Sequence, residues 1–356
     1  MQQEKILNLF SFRKIAIPIL LGVLTASYLV YRDLSKTNYT EIWNSVSIQW
    51  TYQHTFYLFL AIFLVFLRDL SYIYRIRILT DKKLSWRHSF QVIMLWEFAS
   101  SLTPSVVGGS AVALFIVNKE GISGGKSTAI VMVTALLDEL FYLLIVPFAI
   151  LIAGFNKVFA ASSEFHFLGS SYSAFWIFCI GYSFIFILIS IICYAIFIRP
   201  IHFKNLLNKV FKINWLKKWQ PKIEKWGNDL LQTSAEMKGK KLSFWARTFG
   251  ATAFSWTARF FMLNCLIMTV NPHLDQILAL ARQLVMWVIL LISPTPGGAG
   301  IAEYALPVFM GEFIPLGLAS SIAILWRLLS YYPYIIAGSL VLPLWLKRVY
   351  KSKTIK

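Results

Sequence analysis

Long apolar runs separated by short polar stretches dominate the sequence, and six of these runs are long enough to cross a membrane. A helix needs about 20 apolar residues to span about 30 Å of hydrocarbon. The runs predict full transmembrane helices at 15–31, 53–74, 127–152, 172–198, 246–270 and 317–346. The chain has 356 residues, of which 58% are hydrophobic and 14% are charged. The sequence therefore predicts an all-α polytopic membrane protein.

Two further apolar runs, 88–118 and 276–311, are interrupted by proline and paired glycines. The interruptions read Leu102-Thr-Pro-Ser-Val-Val-Gly-Gly-Ser110 and Ile292-Ser-Pro-Thr-Pro-Gly-Gly-Ala-Gly300. Backbone that leaves the helix inside hydrocarbon must be covered by protein or line a water-filled cavity. We therefore expect two re-entrant helical hairpins, with half-helix ends at the two glycine pairs. Paired breaks of this kind point to a transported-substrate site.

The positive charge is unevenly distributed along the chain, which has a net charge of +18. Of 34 Lys and Arg residues, 27 fall in the stretches 1–14, 75–87, 119–126, 199–247 and 347–356. This asymmetry follows the positive-inside rule and does not indicate nucleic-acid binding. It predicts a multi-pass protein of a bacterial inner membrane with both termini in the cytoplasm. By the same rule, the first hairpin enters from the cytoplasm and the second from the outer side.

With these orientations, 53–152 and 246–346 form antiparallel halves of a single integral membrane domain, 1–356. Aligning the two glycine pairs gives an offset of 189 residues, which also places Asp138 opposite Arg327. Inverted repeats with broken helices near the bilayer midplane are a recurring plan of transporters. The sequence therefore predicts an inverted-topology repeat.

The basic segment 199–247 carries twelve Lys and Arg residues and has apolar residues at helical spacing. One interpretation is an amphipathic helix that lies on an anionic leaflet. The other is a long cytoplasmic loop whose charges only fix the topology. Both interpretations stay open at this point.

Ionisable residues inside the predicted spans are costly to bury and indicate function by default. They include Asp138, Glu139, Arg259, Glu303 and Arg327. One interpretation pairs Arg327 with Asp138 or Glu139 as a link between helices. In the other, Arg259 and Arg327 attract a lipid phosphate, and Glu303 orients an arginine or takes a proton or cation.

The glycines complete this second interpretation. The residues concerned are Gly108, Gly109, Gly297, Gly298 and Gly300. At half-helix ends they would offer unpaired N–H groups to an anion and let the backbone approach the headgroup closely. Arg68, Asp69 and Glu97 are expected near the cytoplasmic face, where long side chains snorkel to the membrane surface.

Other site chemistries find little support in the sequence. The three cysteines lie in apolar runs and the five histidines are scattered, so we predict no disulfide framework, no metal site and no cofactor. We assign no catalytic residue, because no Ser/His/Asp or Cys/His arrangement is evident.

The second glycine break and the helix after it resemble a known family. The matching stretches are Pro294-Thr-Pro-Gly-Gly-Ala-Gly-Ile-Ala-Glu303, Leu325-Trp-Arg-Leu-Leu-Ser-Tyr-Tyr-Pro333 and, more loosely, Pro104-Ser-Val-Val-Gly-Gly109. They resemble the lysylphosphatidylglycerol synthase transmembrane-region family, also called flippase-like domain proteins. This resemblance implies lipid translocation. The soluble aminoacyl-transferase domain of two-part members is not expected, since the chain ends at Lys356 shortly after the last span.

The main hypothesis is a lipid flippase or scramblase, more transporter than enzyme, for an anionic phospholipid or polyprenyl-phosphate lipid. A second hypothesis is a membrane enzyme that acts on a lipid phosphate, with Asp138, Glu139 and Glu303 as acid and base groups. A third is a scaffold for a soluble lipid-modifying partner that docks on 199–247. The expected partners are anionic headgroups of membrane lipids.

Overall fold

The computed structural model describes residues 51–351 except 104, 161–164, 168–169, 214–216, 292, 294 and 316. Before residue 51 it describes only Tyr28 and Tyr31, so the predicted span 15–31 lies almost entirely outside the described residues. The described chain is helical apart from one short pair of strands. The prediction of an all-α polytopic protein is confirmed.

The helices follow one another with short connections. They are α1 (Tyr52–Leu79), α2 (Trp86–Leu102), α3 (Ser105–Lys119), α4 (Gly124–Ala153), α5 (Phe155–Ala160), α6 (Ala174–Cys193), α7 (Pro200–Val210), α8 (Gln220–Lys238), α9 (Leu242–Met268), α10 (Gln276–Leu291), α11 (Ile301–Met310), α12 (Ala319–Ser330) and α13 (Tyr332–Lys351). A π-helical turn, Tyr194–Ile198, extends α6, and 3₁₀ turns lie at Lys217–Trp219 and Gly311–Phe313. The antiparallel strands β1 (Phe165–Phe167) and β2 (Ser170–Tyr172) connect α5 to α6.

Four described spans are long and apolar enough to cross a membrane: α1, α4, α6 with its π-helical extension, and α12 together with α13. Their outward faces carry large apolar side chains, such as Phe66 at 68% exposure and Leu151 at 77%. Charged side chains such as Arg68 and Glu303 are buried inside the bundle. This distribution suits a protein whose solvent is lipid. The predicted span 246–270 corresponds to α9, which is 27 residues long but less apolar than these four.

The first broken run is interrupted earlier than predicted. Helix α2 ends at Leu102 and α3 begins at Ser105, so Gly108 and Gly109 lie inside α3. The prediction of a half-helix end at this glycine pair is therefore wrong. The cause is Pro104 in the sequence: a proline pushes the preceding residue out of the helical region, and Thr103 has the extended angles φ −112° and ψ 138°.

Gly109 serves helix packing instead. A Cβ atom at this position would lie 2.2 Å from Oγ and 3.0 Å from Cα of Ser100 on α2. The absence of a side chain therefore lets α2 and α3 pack closely against each other.

The second broken run is interrupted at its glycines. Helix α10 ends at Leu291 and α11 begins at Ile301. Between them, Gly297, Gly298 and Gly300 have φ values of 56°, 68° and 84°. Side chains rarely tolerate this left-handed region, so glycine is required for the chain to turn here.

The last predicted span, 317–346, is also interrupted. Helix α12 ends at Ser330 and α13 begins at Tyr332, with Tyr331 at φ −133° and ψ −60° between them. Pro333 lies in the first turn of α13, where its missing N–H costs little. The apolar run does not predict this third break, which lies beside the second because Tyr331 contacts Gly297.

One order of elements occurs twice along the chain. Helices α1 and α9 begin 190 and end 189 residues apart, and so do α2 and α10. Helix α1 packs along α9. The other contacts are reciprocal, because α4 packs against α10 while α13 packs against α2. The elements on either side of α6–α8 therefore interlock.

The basic segment folds mainly as α7 and α8, and α8 packs against α4. Helix α7 has no buried residue and exposes Ile201, Leu206 and Val210. This half of the segment has the amphipathic character that one of the two interpretations expects.

The turn after α1 is tied to two other elements by Asp81, which accepts hydrogen bonds from Lys126 of α4 and, at 2.6 Å, from Lys240 before α9. Partial burial alone would raise the pKa of Asp81, but the two lysines lower it below its ordinary value. This contact holds the ends of three helices together.

If Gly109 is a packing residue, Gly109→Ala will lower the free energy of unfolding by about 1–3 kcal/mol through overpacking against Ser100. Gly250→Ala is the matched control, because nothing lies within 4 Å of a Cβ at Gly250 in α9. It should raise the stability by roughly 0.5–1 kcal/mol through helix propensity. Thermal unfolding in detergent measures both changes. Equal effects of the two substitutions would contradict the packing role.

Candidate functional site

A cavity of about 280 Å³ lies where α1, α2 and α4 meet α9, α10 and α12. Three chain interruptions touch one another at its wall. The Tyr331 hydroxyl donates a 3.1 Å hydrogen bond to the carbonyl of Ser101, at the end of α2. Gly297 lies so close that an added Cβ would be 3.0 Å from the same carbonyl oxygen and 2.3 Å from the Tyr331 ring. Glycine at 297 therefore lets the interruptions meet.

The cavity collects many of the residues that the sequence singled out. Those that line it are Asp138, Glu139, Arg259, Gly297, Gly298 and Arg327. Glu303 lies behind this wall and contacts Arg327, and Gly300 caps α11 beside it. Gly108 and Gly109 belong to α3, as described above.

Arg327 forms a buried ion pair with Glu303. Its Nε donates to Oε1 of Glu303 at 2.9 Å, and its Nη2 donates to the carbonyl of Gly297 at 3.2 Å. The guanidinium also stacks over the Tyr331 ring, 3.7 Å from the centroid. Both charged residues are almost fully buried, at 5% and 1% exposure. Glu303 thus neutralises the charge of Arg327. Through its hydrogen bond to Gly297, Arg327 also fixes the turn at 297–300, here called the glycine turn.

Asp138 pairs with Arg75 and not with Arg327. The two Arg75–Asp138 contacts are 2.5 Å (Nη1–Oδ1) and 3.3 Å (Nη2–Oδ2). Trp256 Nε1 donates to the same carboxylate at 3.0 Å, and Arg75 also donates to Thr252 Oγ1 at 2.9 Å. The predicted link between Arg327 and Asp138 or Glu139 is therefore wrong. In the structure each arginine has a different carboxylate partner, Asp138 of α4 for Arg75 and Glu303 of α11 for Arg327.

Arg68 is held in a third buried cluster. Its guanidinium donates to Glu97 at 2.6 Å, to Asp69 at 3.0 Å and to the Tyr334 hydroxyl. Arg68 is 3% exposed, so it does not snorkel as the sequence predicts. The carboxylates of Glu97 and Asp69 and the ring of Tyr72, 4.9 Å away, make burial tolerable.

The glycine amides are largely used within the loop itself. The N–H of Gly298 donates to the carbonyl of Thr295 at 3.1 Å, and that of Gly300 donates to Oε2 of Glu303 at 2.8 Å. These two N–H groups are not free to bind an anion, contrary to the prediction. The turn completes its own hydrogen bonds because it is buried.

Arg259 differs from the other arginines at the cavity. Its guanidinium stacks on Trp287, 4.3 Å from the ring centroid, and on Trp256 at 5.1 Å. Within the part of the chain that the structure describes, it makes no hydrogen bond and no ion pair. Stacking on aromatic faces leaves the N–H edges of a guanidinium available. Arg259 therefore presents unused donors to the cavity, which is what an anionic ligand requires.

Glu139 is the corresponding exception among the acidic residues. It lies beside Asp138 on α4, lines the cavity and is 3% exposed. Its Oε2 atom has no hydrogen-bond partner among the described residues. The site thus holds one cation and one carboxyl group that no described residue pairs.

Sequence reasoning missed several residues of the site for identifiable reasons. Arg75 falls in the polar stretch 75–87, because the predicted transmembrane run 53–74 ends just before it. The spacing of Arg68, Tyr72 and Arg75 places all three on one face of α1, which is a usable signal. The 189-residue offset also relates Tyr142 to Tyr331, and both line the cavity.

Metal-ligand chemistry finds no support in the described parts of the chain, where no three His, Cys, Asp or Glu side chains cluster. The fold and the cavity instead define a multi-pass α-helical membrane protein whose interlocked elements enclose a charged, aromatic-lined chamber.

A family model described as the lysylphosphatidylglycerol synthase TM region matches residues 17–338, so the chain belongs to this family. It is also similar to a UPF0104 membrane protein of Archaeoglobus fulgidus. The two are 22% identical over 270 residues, which cover 72% of this chain and 76% of that protein. Membership implies a role connected with membrane lipids.

The charge pairing generates a direct test. Arg327→Met should lower the free energy of unfolding by about 3–5 kcal/mol, because it leaves Glu303 buried and unpaired. Adding Glu303→Leu should restore most of the stability, since removing both charges costs less than removing one. Adding Asp138→Leu should lower it further by orphaning Arg75. Thermal unfolding of the single variant and the two double variants measures these changes. A gain in stability on adding Asp138→Leu would refute the assigned pairs.

Proposed function

We propose that this protein moves a lipid with an anionic, phosphate-bearing headgroup between the two leaflets of a membrane. The observation that carries the proposal is Arg259, a guanidinium that faces the cavity without a carboxylate partner in the described chain. Phosphate accepts charge-assisted hydrogen bonds from a guanidinium in a geometry that suits both groups.

The surroundings of Arg259 support a lipid as the ligand. Trp256 and Trp287 hold the guanidinium, while Leu290 and Leu291 add apolar wall to the same cavity. A headgroup could therefore bind at the polar end of the cavity while its acyl chains stay in the bilayer. The lipid-related family supports the same assignment.

The broken helices support a path through the bilayer. In this proposal α2–α3 and α10–α11 are re-entrant hairpins, which enter from opposite faces of a single membrane domain. The halves 53–152 and 246–346 are then related as an inverted repeat, with both termini in the cytoplasm of a bacterial cell. Non-helical backbone at membrane depth is tolerated where it lines such a cavity.

The exposed apolar face of α7 supports contact of the basic segment with anionic headgroups. Its Lys204 and Lys209 stand beside the exposed Leu206 and Val210. Basic residues next to apolar ones bind anionic membrane surfaces. Docking of a soluble partner on 199–247 remains the rival use of this face.

The enzyme hypothesis is weaker because two of its three carboxylates are occupied. Asp138 is held by Arg75 and Glu303 by Arg327. A carboxylate locked in an ion pair is a poor general base, because its charged form is stabilised. Glu139 alone would have to supply both acid and base chemistry.

Translocation can be measured in liposomes that contain the purified protein and a fluorescent phosphatidylglycerol. Arg259→Gln should slow the transfer about tenfold to about a hundredfold, the equivalent of one charged hydrogen bond. Arg87→Gln, the same change at an exposed site at the start of α2 and outside the basic segment, should leave the rate unaltered.

Thermal unfolding separates function from folding in this test. Arg259→Gln should unfold at the temperature of the unaltered protein, because no carboxylate is orphaned. A large loss of stability would instead make Arg259 a structural charge. Transfer no faster than in protein-free liposomes, for phosphatidylglycerol and for a polyprenyl phosphate alike, would refute the proposed function. Chemical turnover of the lipid would favour the enzyme hypothesis.

A further inference from the structure

One wall of the cavity has buried polar atoms that find no partner in the part of the chain that the structure describes. They are Oγ1 of Thr134, Oε2 of Glu139 and the hydroxyl oxygen of Tyr142, all on α4. Each side chain is at most 5% exposed, and each lines the cavity. Buried polar atoms are satisfied in nearly all native proteins, so three orphans on one wall point to something that binds there.

Of the three side chains, only that of Glu139 is ordinarily charged at neutral pH. In an apolar site, an ionised carboxylate needs a cation or several hydrogen-bond donors. Within the described residues it has no ion pair. Its sequence neighbour Asp138, which pairs with Arg75, places a second carboxylate beside it, and adjacent carboxylates oppose each other's ionisation. A proton is the smallest ligand that removes this cost.

Within the described residues, no charged or titratable group around Glu139 supplies a cation to it. Those that line the cavity are Asp138 and Tyr142 on α4, Tyr72 and Arg75 on α1, Glu97 on α2, Arg259 on α9, Arg327 on α12 and Tyr331 just after α12. Arg75 and Arg327 are each committed to another carboxylate, and Arg259 contacts two tryptophans and forms no ion pair with Glu139.

Among the described side chains, those of the remaining helices that pack on α4 form no ion pair with Glu139 either. Arg282 of α10 pairs with Glu312, and Tyr182 of α6 donates to the carbonyl of Leu143. On α8, Asp229 and Gln232 face Gly124 and Gly125 at the start of α4. The ammonium group of Lys119 on α3 lies over the rings of Phe115 and Tyr350. The backbone carbonyl of Lys157 on α5 accepts a hydrogen bond from Arg282.

We propose that Glu139 is a proton-binding site inside the cavity and that its protonation is coupled to the binding of an anionic lipid headgroup. The coupling rests on the proposed function and deepens it. Ionised Glu139 would repel a phosphate drawn to Arg259, whereas protonated Glu139 would not. Because linkage is reciprocal, headgroup binding favours proton uptake, and raising the pH weakens binding.

Protonation can be tested without lipid. Infrared difference spectra of the purified protein in nanodiscs, recorded between about pH 5 and about pH 9, report the carbonyl band of protonated carboxyl groups. We expect a band that disappears as the pH rises and that is missing in Glu139→Gln. Glu224→Gln, at an exposed position on α8, should keep it. A spectrum that Glu139→Gln leaves unaltered would overturn the proton site.

Coupling requires a second measurement. The charge of a short-chain phosphatidylglycerol is constant over this range. Its affinity for the protein should fall about tenfold as the pH rises, which corresponds to about 1.4 kcal/mol of binding free energy. Glu139→Gln, which resembles the protonated acid, should bind with high affinity at every pH. The same pH dependence in Glu139→Gln, or none in the unaltered protein, would overturn the coupling.

The two measurements separate this inference from the proposed function. If the protein binds no anionic lipid at any pH, the proposed function fails and the coupling fails with it. The infrared result still decides in that case whether Glu139 binds a proton. If lipid binds but shows no dependence on Glu139, only the inference is lost.

Discussion

The structure depends on pairing the arginines that it buries inside an apolar bundle. Arg68, Arg75, Arg282 and Arg327 are each at most 5% exposed, and each contacts a carboxylate. Removing one partner of such a pair costs several kcal/mol, so these contacts fix which helices can lie next to each other. Most join residues far apart in the sequence, such as Arg75 and Asp138. Arg259 stands out because it has no such partner in the described chain.

The interrupted helices follow from the same constraint on polar groups. Each break frees backbone groups that hydrocarbon cannot satisfy, and the protein covers them with itself. The Gly297 carbonyl accepts from Arg327, the Gly300 amide donates to Glu303, and the Ser101 carbonyl accepts from Tyr331. One ion pair thus serves two purposes, since Arg327 and Glu303 neutralise each other and also close the glycine turn. The cavity lies beside these breaks, where the backbone groups have hydrogen-bond partners but no side chain fills the space between the helices.

The sequence was sufficient for the class of fold and for much of the cavity. Apolar run lengths and glycine breaks depend on local chemistry, and Asp138, Glu139, Arg259, Gly297 and Arg327 do line one cavity. The pairing of charges was not predictable from the same information. The sequence allows Asp138 to pair with any of several arginines. Arg75 becomes its partner because α1 and α4 both pack against α9. Gly109 was misassigned for a related reason, because a glycine that permits helix contact and one that ends a helix look alike in a sequence.

The way in which Arg259 is held explains how a site could bind a phosphate and still release it. A carboxylate partner would have to be displaced by the ligand, at the cost of an orphaned charge in the interior. Trp256 and Trp287 contact the guanidinium through their ring faces, so a ligand can take its N–H edges without breaking an ion pair. One charged hydrogen bond is worth about 1.5–3 kcal/mol, enough to favour entry of a headgroup but too little to trap it. A carrier needs this balance, whereas a structural arginine such as Arg75 needs the opposite.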